Sequence, residues 1–346
     1  MNEEISQREF VRSSTAGIFV ERKACQPLMT RGINLYQEDI GTVAQWPQTA
    51  KDAGLTTIAI HPGGGHKGNT VQNCIDFIQS DKGQQFLKDC ERLGLEVEYE
   101  LHAMKELLPR SLFEKHPEMF RMDKKGKRQR SDNLCVHSEK ALEVVCANAI
   151  KIGNILKPTT GRYFYWIDDA HDMCRCDKCH EYSDSEQALI LENRILKALR
   201  TIDKNTTLAH LAYANTIMPP EKIKPDAGIF LEFAPIHRQL DKSLKDQKGS
   251  DSLQTLKENL AVFPVETAQV LEYWLDVSMA SKWKRPFVKM PWYPKVLTAD
   301  VATYSSLGIK HITSFGCGID KYYYDTHGEP PIKEYGNSLL LIRNKE

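Results

Sequence analysis

The sequence predicts an α/β chain folded as a (β/α)8 TIM barrel, and three observations carry that expectation. Eight short β-rich runs alternate with helical patterns, as parallel βα units require. The first run lacks the GxGxxG turn of a doubly wound nucleotide-binding sheet. Polar residues gather at the C-terminal ends of the runs, where barrel enzymes build their sites. The runs are Arg31–Tyr36, Leu55–His61, Leu95–Ala103, Tyr163–Ala170, Thr207–Tyr213, Gly228–Ala234, Pro286–Tyr293 and Ile309–Phe315. Between the fourth and fifth, Leu191, Ile195, Ala198, Leu199 and Ile202 form a helical stripe behind the capping candidates Asp184 and Ser185. Residues 1–27 read as a polar N-terminal extension and 28–346 as the barrel, with Met104–Asn133 and His237–Ser252 as long solvated loops.

Composition narrows the function classes. The 46 basic residues balance the 46 acidic ones among 346, so no net charge favours nucleic acid or a membrane surface as partner. Hydrophobic residues at 41% and charged ones at 27% describe a globular chain. No apolar run approaches the roughly 20 residues of a membrane span. The opening MNEEISQREF is not the basic-then-apolar pattern of a signal peptide, so a cytoplasmic location is expected of the chain as written.

The third run assigns its own faces. Val97, Tyr99 and Leu101 alternate with Glu96, Glu98, Glu100 and His102, so the apolar set packs on helices and the polar set points into the lumen. A carboxylate there needs a partner, water or a ligand. Further polar residues end the other runs: Asn34, His61, Asp168, Asp169, His210, Tyr213, Glu232, Lys289, Trp292, Tyr293 and Ser314. Singly, each reads equally well as a barrel strut; together they read as a ligand site. Carboxylates beside Trp166, Trp292, Tyr293 and the Tyr322–Tyr324 triplet suit a sugar, which offers hydroxyls to carboxylates and a C–H face to rings, although Trp166 and Trp292 fit the core as well. The Gly-rich HPGGGHKGN at His61–Asn69 lacks the ending of a phosphate loop, which leaves His61 and His66 as possible ligand contacts. No GxSxG or HExxH occurs.

Nine cysteines are present, and Cys174, Cys176 and Cys179 fall at x1 and x2 spacing directly after Asp168–Asp169. Such thiolates can wrap one soft ion, with tetrahedral zinc the usual occupant. Cys135 is the first choice for a fourth ligand, followed by His180, His137 and His171. Four protein ligands would make the zinc structural, an open position would make it catalytic, and three reduced thiols in a turn remain the metal-free reading.

The segments YELHAMKELLPRSLFEKHPEMF, NLCVHSE, YFYWIDDAHDMCRCDKC and LEFAPIHR resemble the bacterial family known as domain of unknown function 4838, from about Arg31 onward. That family is most common in gut Bacteroidetes, the Bacteroides group among them. It is similar to glycoside hydrolases with barrel folds, and one branch is classed as endo-β-N-acetylglucosaminidase, glycoside hydrolase family 163. The resemblance implies a carbohydrate-active barrel, and for an N-acetylhexosamine substrate an Asp-Glu pair at the fourth strand end, the first residue orienting the acetamide and the second acting as acid. Here Asp168–Asp169 stands at that place, with a shorter second side chain.

The expected function is hydrolysis of a glycosidic bond, with Asp169 as acid, Asp168 as its partner and Glu100 with Glu232 as the competing pair. His61, His102, Tyr213, Trp292 and Tyr293 would bind the sugar. Clustered carboxylates repel, so at least one of them should have a raised pKa. The alternatives are a carbohydrate-binding barrel without turnover, its zinc structural, and a zinc-dependent hydrolase.

Overall fold

The computed structural model describes residues 27–63, 70–169, 171–249 and 251–340. Eight strands close into one parallel barrel in sequence order: β1 (Thr30–Tyr36), β2 (Thr57–His61), β3 (Glu96–His102), β4 (Arg162–Trp166), β5 (Thr207–Ala212), β6 (Ile229–Phe233), β7 (Gln269–Glu272) and β8 (His311–Phe315). β1 pairs with β8 through Thr30↔His311 to Asn34↔Phe315, which leaves no free sheet edge. Helices on the connections cover the outside, and the larger apolar core lies between them and the strands. Residues 1–26, most of the expected N-terminal extension, lie outside the described residues, as does His66.

Seven of the eight expected strands stand where the sequence put them; the seventh does not. Pro286–Tyr293 is an irregular part of the connection after β7, and the strand itself is the four-residue Gln269–Glu272. Two prolines explain the difference, because a proline nitrogen cannot donate to a central ladder and every strand of a closed barrel is central. The helix after β4 is Asp184–Leu199, but its N-cap is Ser183, which exchanges hydrogen bonds with Glu186 in a capping box. Ile202 lies beyond its end and is half exposed.

On β3 the alternation holds. Val97, Tyr99 and Leu101 join the strand–helix core, while Glu98 and Glu100 are fully buried in the lumen and Glu96 emerges at the N-terminal rim. Lumen carboxyls are paired with the strands around them. Glu98 accepts from Thr160 Oγ1 at 2.8 Å and lies 3.6 Å from Arg162, whose guanidinium covers the Phe230 ring. One level up, Glu100 accepts from Asn34 and, at 3.3 Å, from Gln269 Nε2; the same amide donates to Glu232 at 3.0 Å, and Trp166 Nε1 donates to Glu232 at 2.8 Å. Burial raises the pKa of both carboxyls, and for Glu100 the neighbouring Glu232 adds to the rise.

A second buried network anchors β7 from outside. Arg238 donates to Glu272 at 2.5 Å and lies 2.7 Å from Asp300, all three side chains being inaccessible or nearly so; Tyr304 also donates to Glu272 and Trp274 Nε1 to Asp300. This arrangement ties the end of β7 to the connection after β6 and to the helix before β8. Arg238→Met should lower the unfolding free energy measured in urea by about 3–5 kcal/mol, because two carboxyls stay buried without their counter-charge. A change within about 0.5 kcal/mol, as at an ordinary surface position, would contradict the anchoring role.

Candidate active site

At the C-terminal mouth the barrel opens onto a cavity of about 700 Å3. Rings pave its floor: Tyr36, His61, His102, Trp166 and Phe315 end five of the strands, and Tyr273 follows β7. The His61 ring centre lies 5.5 Å from Trp166, 5.8 Å from His102 and 5.4 Å from Phe315, and Tyr273 stacks on Phe315 at 5.5 Å. His61 Nδ1 is 2.6 Å from the Glu100 carbonyl and His102 Nδ1 is 2.6 Å from that of Ile167. A carbonyl only accepts, so each Nδ1 carries hydrogen. Burial lowers the His61 pKa to about 3, which keeps the ring neutral and Nε2 an acceptor.

Of the two competing carboxyl pairs, Asp168–Asp169 borders the cavity and Glu100–Glu232 does not. Asp169 is exposed on the cavity wall and accepts from Tyr213 Oη at 2.9 Å. Asp168 also borders the cavity but is bound elsewhere: Arg110 Nη2 and the Asn133 backbone N–H both donate to it at 2.6 Å, and Asn133 Oδ1 accepts from the Asp168 backbone N–H at 2.9 Å. Asn133 is fully buried and holds φ 33°, a conformation that asparagine tolerates better than most residues. Glu100 and Glu232 lie beneath the ring floor and do not line the cavity.

Trp292 and Tyr293 line a neighbouring cavity of about 250 Å3, which shares Tyr273 and Asp276 with the first. His210 is on the outer face of β5, where it meets Glu192 at 2.6 Å and Ser185 at 3.1 Å. Those three side chains have the connectivity of a nucleophilic triad, yet all are buried between strand and helix.

Three carboxyls that border the cavity were missed by sequence reasoning, Glu106, Asp132 and Asp276, and Asp276 is the most buried of them. It follows β7 by four residues, is nearly inaccessible, and accepts from the Ser278 backbone N–H at 2.6 Å. Burial pushes its pKa up to about 6, against the pull of Ser278. Asp169 and Asp276 both raise the pKa of the Tyr213 and Tyr273 phenols, whose larger cause is burial; both carboxyls thus act on the same two rings. A signal was present: Tyr273-Trp274-Leu275-Asp276 echoes Tyr165-Trp166-Ile167-Asp168. The echo is out of phase, because Tyr165 points to a helix through Ala149 while Tyr273 faces the cavity.

The four cysteines come together as the spacing predicts. The sulfurs of Cys135, Cys174, Cys176 and Cys179 all lie within 4.8 Å of one another and the residues are buried, a set able to hold a metal ion. Cys135 Sγ is 3.7 Å from both Cys176 Sγ and Cys179 Sγ. That length rules out a disulfide between them and matches the edge, about 3.8 Å, of a tetrahedron whose metal–sulfur bonds are about 2.3 Å. The Met122 N–H lies 3.3 Å from Cys174 Sγ, Arg128 Nη1 3.7 Å from it, and His137 Nδ1 3.2 Å from Cys179 Sγ, which gives thiolate charge several polar neighbours. None of the four cysteines borders the large cavity.

Residues 70–318 match the model of the family described as Domain of unknown function (DUF4838). The chain belongs to the DUF4838 family. The match begins after β2, later than the sequence resemblance suggested, so β1 and β2 of this DUF4838 barrel lie outside it. No curated protein matches. Among solved structures, the chain is similar to an α-amylase from Lactobacillus plantarum at 10% identity and a TM-score of 0.51, covering 91% of this chain and 80% of that one. It is similar also to a β-galactosidase from the psychrophilic Marinomonas ef1 at 11% and 0.50, covering 90% of this chain and 59% of that one, so the chain spans less than two thirds of the galactosidase. A third likeness, to ZgEngAGH5_4 bound to a cellotriose, has 11% identity and a TM-score of 0.50 and covers 90% and 96%. At these identities the likeness is one of fold. No helix among the described residues is long and apolar enough to cross a membrane.

The His61 geometry is open to direct measurement. Between about pH 5 and pH 8 its ring resonances should stay put, with the Nδ1–H tautomer throughout. A midpoint near the ordinary histidine value would contradict the floor as described.

Proposed function

We propose that this barrel hydrolyses glycosidic bonds of a glycan and that Asp169 and Asp276 are its two working carboxyl groups. The observation that carries the reading is that both line one cavity with Tyr213 and Tyr273 above an aromatic floor, one carboxyl exposed and hydrogen-bonded to Tyr213, the other buried with a raised pKa. Unequal environments of this kind separate a proton donor from an ionised partner. Asp276, near pKa 6, holds its proton in the mildly acidic range and donates it to the leaving oxygen. Asp169, with the Tyr213 hydroxyl on it, is the carboxylate that supports the developing positive charge or activates water. This moves the acid role from Asp169, where the sequence suggested it, to Asp276. Asp168, engaged by Arg110 and Asn133, positions the loop that carries Asp169. His61 and His102 offer Nε2 and Tyr213 its oxygen to sugar hydroxyls.

Asp276→Asn should slow hydrolysis of an unactivated glycan by about 10²–10⁴-fold, and far less on an aryl glycoside whose leaving group needs no proton. Asp169→Asn should impair both. Because the donor must be protonated, wild-type kcat/KM should fall as pH rises through about 6, and Asp276→Asn should remove that limb. Binding of glycans with no cleavage of any would favour the carbohydrate-binding barrel instead.

The cysteine cluster fits zinc as a closed, structural ion. Cys135 lies after the loop that follows β3 and the other three after β4, so an ion there would join the two connections beside the Asn133–Asp168 pair. Protein purified under reducing conditions should contain one zinc per chain by elemental analysis. Cys176→Ser should lose it and lower the melting temperature by on the order of 5 °C. Metal-free wild type with unchanged stability would overturn the assignment.

A further inference from the structure

The connection after β7 brings Lys282, Trp283 and Lys284 onto the wall of the large cavity. Lys282 and Trp283 are consecutive non-glycine residues with φ 54° each, a conformation that bulky side chains rarely adopt and that persists only where surrounding bonds enforce it. Here the Lys282 N–H donates to the Met279 carbonyl at 3.0 Å, Trp283 N–H to Ser278 at 2.7 Å and Lys284 N–H to Ser281 at 3.1 Å. The turn leaves Trp283 49% exposed and both lysines at the surface.

The next residue shows that the lysines are a distinct case. Arg285 is consumed by three carboxylates, lying 2.5 Å from Glu38 and 2.9 Å from Asp39 and pairing also with Asp320. Among the described residues neither Lys282 nor Lys284 has a carboxylate within ion-pair distance, although Asp168, Asp169, Asp132, Asp276 and Glu106 border the same cavity. Two of those acids are already paired, Asp168 with Arg110 and Asp132 with Arg121. Lys105, also without an ion-pair partner among the described residues, borders the cavity from the connection after β3, four strands away around the ring of eight. Cations without protein partners on the wall of a cleft keep their attraction for a ligand, and low-dielectric walls focus it.

We infer that Lys282 and Lys284 bind an acidic pyranose, a sugar ring bearing a carboxylate or sulfate, with its anion between the two ammonium groups on the cavity wall. The identity of the ring rests on the glycosidase reading; the demand for negative charge does not. Titration calorimetry on the full chain tests it with four probes: a uronic-acid oligosaccharide and its carboxyl-reduced form, and a sulfated oligosaccharide and its desulfated form. Wild type should bind at least one acidic member about tenfold more tightly than its neutral counterpart at low salt, with the gap closing at high salt. The arm that shows the gap names the anion. The double variant Lys282→Ala/Lys284→Ala should bind acidic and neutral members alike, at the wild-type affinity for the neutral one. Equal wild-type affinities within both pairs, or a preference that survives the double variant, would overturn the inference and leave the glycosidase reading standing if neutral glycans are still bound and cleaved. Binding of none of the four would overturn both.

Discussion

A closed parallel barrel puts side chains from all eight strands into one buried lumen, and the polar groups placed there draw their protein partners from neighbouring parts of the barrel. The rest of this structure depends on that constraint. Glu98 meets Arg162 and Thr160, and Glu100 and Glu232 share the Gln269 amide, with Asn34 and Trp166 completing their contacts. Desolvation makes each such partnership costly to break, so these residues hold strands in register across the lumen. Trp166 ties the two levels together, since its indole N–H binds Glu232 below while its ring paves the cavity above.

Above the floor the constraint relaxes, and the connections rather than the strands determine which charges are free. The cysteine cluster joins the segments after β3 and β4 two residues from Asn133, and Asn133 exchanges hydrogen bonds with Asp168, which Arg110 holds from the other side. Asp168 is thereby spent on geometry. Its neighbour Asp169 is left facing the cavity, where among the described residues the Tyr213 hydroxyl is its one hydrogen-bond partner. On the opposite flank the Arg238–Glu272–Asp300 network secures β7, and with it Tyr273 and Asp276. Two separate anchors thus hold the two carboxyls proposed to work together.

Much of this was legible in the sequence where periodicity or spacing is local. The alternation on β3 assigned its faces, and the CxCxxC run with Cys135 anticipated the cluster. Alternation gives a side chain's face but not its height. Glu100 is two residues before His102, about 7 Å lower along the strand, and that drop places it under the rings instead of at the mouth. The same alternation, applied to β5, would have put His210 on the outer face with the helix. β7 escaped because four residues, two of them polar, carry almost no period, while the nearby Pro286–Tyr293 looked richer in strand formers. Losing that strand also hid Asp276, whose proposed role rests on burial and position, neither of which its sequence neighbours encode.

The central claim is that a glycosidic bond is held between Asp169 and Asp276 over the aromatic floor. A crystal structure of Asp276→Asn with an uncleaved oligosaccharide tests it most directly. The account predicts a sugar ring over Trp166 and His61, the scissile oxygen within hydrogen-bond distance of residue 276, and the Asp169 carboxylate beside the adjoining anomeric carbon. A glycan bound with its scissile bond away from both carboxyls, or seated outside this cavity, would contradict it.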